Sequence, residues 1–301
     1  MTHLVFIFLC LACGAAAQRV CGPDVRRALW LAYFGTVTPL LVFVTFSTLE
    51  VDRELVSALA AVVVSSWLLA AAGHVYARAV ARSRAERGAL ALGASFGNTG
   101  FLGLPLAQLV FGNAGLAFAV VYGRLAWLVP DTSLSTALAR LHGSGGARMN
   151  LHRTAGALLL NPPLWALAAA IALRAAGAVP DVADARGVAT ALVGPGGFLL
   201  LGLTLPLEPE RPSGGDVRRA LGAVAIRMGG GPLALWLVAH ATGAHVPGVF
   251  YFLAAMPCAF HLLVLARVYD LRPTLMRLLV GGSTAAAVAA VAVAVGAERL
   301  L

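Results

Sequence analysis

The chain has 301 residues, of which 60% are hydrophobic and only 12% charged. A soluble domain carries about 25% charged residues, so a water-soluble globular protein is excluded and a polytopic membrane protein is expected. The formal net charge of +9 rests on 22 arginines and no lysine; these lie mostly in short loops between apolar stretches, which points to membrane topology and excludes a nucleic-acid partner.

Ten apolar spans follow one another, at roughly 3–18, 28–49, 55–77, 88–111, 115–140, 151–174, 186–207, 217–242, 247–269 and 272–297. All but the first approach the ~20 residues needed to cross the hydrocarbon layer. The opening MTHLVFIFLCLACGAAAQRV imitates a signal peptide but lacks its basic start. It is read as a first membrane helix, and whether Met1 is the true start is left open. Cys10 and Cys13 form a CxxC within this apolar run, with no second pair and no histidine at zinc-ligand spacing. No metal, cofactor or disulfide framework is expected from them, nor from Cys21 and Cys258.

The loops after spans one, three, five, seven and nine hold fifteen arginines, and the intervening loops only Arg53, Arg174 and Arg186. Basic residues favour the cytoplasmic side. Gly145 and Gly215 are therefore expected inside, Gly177 and Gly243 outside, and both termini outside. The setting that fits is a bacterial plasma (inner) membrane.

The stretch GASFGNTGFLGLPLAQLVFG, Gly93 to Gly112, is apolar enough for lipid but a poor helix in its middle. Gly97, Gly100, Gly103 and Pro105 crowd together there, with Asn98 and Thr99 among them. Glycine weakens a helix interior by about 1 kcal/mol and proline by about 3 kcal/mol. Freed backbone groups in lipid need partners within protein or at a water-filled cavity. Two readings are open: a discontinuous helix at a binding site, or a glycine-rich helix packed closely on a neighbour. A second interruption lies in FLAAMPCAFHLLVLARVYDLRP, Phe252 to Pro273, broken by Pro257. Pro39 and Pro105 in spans two and four are matched by Pro195 and Pro257 in spans seven and nine. Five spans separate each proline from its counterpart, and an odd number inverts the repeat.

NTGFLGLPL (Asn98 to Leu106) followed by FGNAGLA (Phe111 to Ala117) resembles the fourth-helix region of the auxin efflux carrier family. NPPLW (Asn161 to Trp165) resembles the start of its sixth helix and GPGGFLLLGLTL (Gly194 to Leu205) its seventh. AAMPCAFHLLVLARVYDL (Ala254 to Leu271) resembles its ninth, with Pro257, Ala266 and Tyr269 in place. The likeness covers nearly all of the chain after about residue 28. It implies an all-α fold shared with bile acid and sodium symporters: ten transmembrane helices in two inverted five-helix repeats, 1–141 and 151–301, joined by a cytoplasmic linker at 142–150. Helices one, two, six and seven would form a scaffold, and helices three to five and eight to ten a mobile core in which broken helices four and nine cross. Members carry organic anions such as auxin in plants and malonate or malate in bacteria. The segment YGRLAWLVPDT, Tyr122 to Thr132, departs from the family pattern.

The resemblance places Asn98 and Thr99 beside substrate; the plainer reading is that they satisfy unwound backbone. Gly100 and Pro105 are expected to act through the backbone, and Pro257, followed by Cys258, at the crossing. His261 lies one turn further on. It is either a proton carrier or carboxylate ligand, or a packed core histidine; the family does not conserve it. Arg124 lies within span five, and intramembrane arginine usually faces protein or a cavity. It suits a carboxylate substrate, or an ion pair with Asp131 two turns along the same helix. Arg227, within span eight and eight residues past Arg219, has two readings: it suits a carboxylate substrate as Arg124 does, or, the favoured one, it reaches the cytoplasmic surface along its own stem. His74, Ser283 and Thr284 are expected to be packing residues.

The reading is a secondary transporter of small organic anions, working by alternating access without a cofactor. No nucleotide-binding motif, nucleophile–His–acid set or HExxH occurs. The rivals are a membrane ligand sensor without transport and an intramembrane enzyme. The latter is disfavoured because the acidic residues lie almost entirely in loops. The expected partners are an organic anion and the lipid bilayer; a homodimer is left open.

Overall fold

The computed structural model describes residues 2–126, 134–144, 161–205 and 212–297. Among them the chain is helical without a strand, and contacts divide it into two compact units. The first comprises Met1–Val51, Leu104–Val121 and Arg148–Leu205, and the second Asp52–Gly103, Tyr122–Ala147 and Pro206–Leu301.

The first unit holds α1 (Thr2–Ala17), α2 (Pro23–Gly35), α3 (Val37–Thr48), α6 (Leu104–Val121), α8 (Pro162–Ala175) and α9 (Ala183–Thr204). Lipid gives helices no hydrophobic reason to associate, so small residues and polar bridges hold them. Helix α1 meets α9 glycine to glycine: a Cβ on Gly202 would lie 2.2 Å from the Leu11 carbonyl oxygen. At the same contact the Gln18 amide donates to the carbonyls of Gly202 and Leu205, at 2.7 and 2.9 Å. On α6, the Gln108 amide donates to the Thr190 carbonyl of α9 at 2.7 Å. Arg174 at the end of α8 donates to the Leu49 carbonyl beyond α3. Helix α6 is kinked. Gly112 has φ 68° and ψ −162°, a region open essentially to glycine alone.

The second unit holds α4 (Arg53–Val80), α5 (Arg84–Ser95), α7 (Ser135–His142), α10 (Gly214–Ala225), α11 (Gly231–Thr242), α12 (Gly248–Ala254), α13 (His261–Val268) and α14 (Pro273–Ala297). Wide π-helical turns occupy Thr99–Gly103, Tyr122–Ala126 and Ile226–Gly230. Local chemistry sets the starts. Asp52 accepts from the Leu55 N–H at 2.7 Å, Ser83 from Glu86 at 3.1 Å and Ser213 from Asp216 at 3.1 Å. Each satisfies an orphan donor of a first turn.

Among the described residues, six helical stretches are long and apolar enough to cross a membrane: Pro23–Thr48, Arg53–Val80, Thr99–Ala126, Ala183–Thr204, Gly214–Thr242 and Pro273–Ala294. Five correspond to spans read from the sequence. Thr99–Ala126 draws on both the fourth and the fifth, with a kink at Gly112. Helix α8 is shorter, and the ninth span is divided into α12 and α13. The linker position Gly145 and the expected Arg124 partner Asp131 lie outside the described residues.

Candidate functional site

Both breaks lie in the second unit, and their unwound pieces pair with each other. Helix α5 ends at Ser95 and α12 at Ala254. Between these ends and the helical turns that follow, Gly97 and Cys258 form an antiparallel bridge. The Asn98 N–H donates to the Pro257 carbonyl at 2.7 Å, and the Ala259 N–H to the Phe96 carbonyl at 3.0 Å. Two breaks thus satisfy each other's backbone groups, as the absence of water demands.

Pro257 lies where the two unwound pieces pair, its carbonyl accepting from the Asn98 N–H. Pro105 sits at the start of α6, directly after the π-turn Thr99–Gly103. The interruption itself falls at Phe96–Asn98. The chain then resumes through a π-turn closed by the Gly103 N–H on the Asn98 carbonyl at 3.0 Å.

Asn98 is 3% exposed. Its Oδ1 accepts from the Phe101 N–H at 3.1 Å, capping the resumed helix. Its Nδ2 is buried with no hydrogen-bond partner among the described residues. Thr99 is buried beside it, whereas Gly100 is exposed with open space around its α-carbon. Cys258 is spent on structure: its N–H donates to Ser283 Oγ at 3.0 Å and its thiol to the Gly93 carbonyl at 3.1 Å. Ser283 in turn donates to the Leu279 carbonyl at 2.6 Å, so this hydroxyl of α14 locks the second break. His261 opens α13 and is half-buried. Arg124 is half-buried in the π-turn Tyr122–Ala126, whose Tyr122 ring meets Phe250 of α12 edge-on at 5.3 Å.

Arg227 corrects the sequence reading. It does not reach the surface: it is 1% exposed, and its guanidinium lies at the crossing. Nε donates to the Met256 carbonyl at 3.0 Å and Nη1 to the Ser95 carbonyl at 2.8 Å, while Nη2 reaches the Ala254 carbonyl. The π-turn Ile226–Gly230 carries it; such turns occur often at functional positions. The signal was present in the sequence, an arginine in an apolar span next to three glycines. Its nearness to Arg219 suggested an escape to water instead.

Where α5 and α10 begin, a second polar cluster forms. Glu86 is paired with Arg219 Nε, both nearly inaccessible. Arg219 also binds Asp216 at 2.9 Å, and Arg272 lies 3.2 Å from Asp216 and 3.7 Å from Glu86. The Arg82 N–H donates to Glu86 at 3.0 Å.

An apolar helical chain with two breaks paired inside one unit is a membrane protein with a polar centre among its helices. Residues 1–142, just under half of the chain, match the family model described as Membrane transport protein. The likeness is to membrane transport proteins and covers this part of the chain. No curated protein matches the chain.

Proposed function

We propose that the protein is a secondary carrier of small organic anions that binds its substrate at the crossing of the two interrupted segments. The observation that carries this is the buried Asn98 Nδ2 with no acceptor among the described residues. Leaving such a donor unpaired costs about 1–3 kcal/mol, and a carboxylate oxygen would satisfy it. Asn98 caps a resumed helix, whose N-terminal dipole favours negative charge. Thr99 beside it supplies a second polar group, and Arg124 adds positive charge at longer range. A site of amides and dipoles holds an anion modestly, so it also releases it. In this reading the chain forms ten spans in two inverted repeats. The first unit serves as scaffold and the second as the moving core, in alternating access across a bacterial inner membrane.

The test is uptake and efflux of a dicarboxylate panel in vesicles, with and without imposed gradients. Asn98→Ala should insert and fold but lose about 10-fold or more of the transport rate, the worth of one buried hydrogen bond. Full activity in this variant removes the central site. Substrate binding without flux in the unmodified protein would make it a sensor.

Orientation has its own check. Single cysteines placed at Gly145 and Gly215 should be labelled from the cytoplasm, and those at Gly177 and Gly243 from outside. Labelling at Gly177 from the cytoplasm alone reverses the topology.

A further inference from the structure

Carriers with broken helices commonly use unwound carbonyls and half-helix C-terminal ends to coordinate a coupling cation. Here those groups face a side chain. The carbonyls of Ser95, Ala254 and Met256 belong to the ends of two different half-helices, and all three accept from the one guanidinium of Arg227. Each helix C-terminus carries roughly −0.5 elementary charge, so two such ends together balance about one positive charge. The donors are used singly, Nε, Nη1 and Nη2 each on a different carbonyl, which the planar fork of arginine permits and a lysine ammonium does not reproduce. Space around the group is also taken up. A Cβ on Gly97 would come within 3.2 Å of the Arg227 Cζ, and one on Gly231 within 3.0 Å of Nη2.

We infer that Arg227 is a tethered cation that does at this crossing what a bound metal ion does in ion-coupled carriers. It holds the two half-helix ends together, so the crossing needs neither Na+ nor K+. Arg227 is a positioning residue: it fixes the backbone from which Asn98 projects, and it leaves a permanent positive charge one residue away from Asn98. For transport, the inference rests on the carrier reading above. For the stability of the crossing, it stands alone.

The purified protein is unfolded thermally in NaCl, KCl and choline chloride at matched ionic strength. The unmodified protein should show the same midpoint in all three; a selective rise in Na+ or K+ overturns the inference. Arg227→Ala strands three carbonyls, and its midpoint should fall by about 5–10 °C. Millimolar guanidinium should restore much of that loss, and choline should not. Equal recovery with choline, or none with guanidinium, overturns the inference. If Arg227→Ala cannot be purified, Arg227→Lys is compared with the neutral Arg227→Gln. Lys more stable than Gln supports a cation, and equal stability refutes one. Anion flux in vesicles should be unchanged when choline replaces Na+. Absence of flux with the stability results intact tells against the carrier reading and not against the tethered cation.

Discussion

Gly231→Ala should severely destabilise the second unit. A Cβ at this position would lie 2.2 Å from the carbonyl oxygen of Ala254, a distance no real contact tolerates. The clashing atom is main chain and accepts from Arg227, so it has no free direction in which to yield. Overpacking usually costs about 1–3 kcal/mol, occasionally more, and a collision with bound backbone belongs at the upper end. The neighbouring Gly229→Ala is the control. A Cβ there meets nothing within 4 Å, and alanine is about 1 kcal/mol better than glycine within a helix. The two variants should therefore move the thermal midpoint in opposite directions. A Gly231→Ala protein as stable as its parent would show that α11 does not press against the end of α12.

Arg219→Met should cost about 3–5 kcal/mol, the usual price of removing one partner from a buried ion pair. Glu86 is 1% exposed and would be left charged without Arg219 beside it. Arg272, 3.7 Å away and over a third exposed, compensates only weakly. Glu86→Leu combined with Arg219→Met removes both charges and should recover a large part of the loss, because replacing a buried pair with apolar groups is often close to neutral. Asp216 keeps Arg272 as a partner in the double variant. Equal instability of the single and double variants would mean that shape, not charge, is what Arg219 contributes.

Much of this molecule could be read locally. Membrane class follows from apolar runs and scarce charge, since each span must satisfy its own backbone in lipid. The breaks around Asn98 and Pro257 follow from glycine and proline, whose costs are paid residue by residue. The N-caps at Asp52, Ser83 and Ser213 are equally local. That the two interrupted segments meet was an implication of the family likeness, not of any local propensity.

What the tertiary structure decided is where freed groups found their partners. The first break falls at Phe96–Asn98, ahead of Pro105, because the Phe96 carbonyl and the Asn98 N–H pair with the other segment, and no local propensity encodes that pairing. Arg227 illustrates the same limit. An intramembrane arginine can reach water along its stem or bury itself against carbonyl ends, and the composition around it is compatible with both. The choice depends on Ser95, 132 residues away in sequence, being brought beside Ala254 and Met256. The Glu86–Arg219 pair likewise joins the starts of two helices far apart in the chain. Sequence set the kinds of groups that lose their partners in lipid; only the folded chain determined which of them would meet.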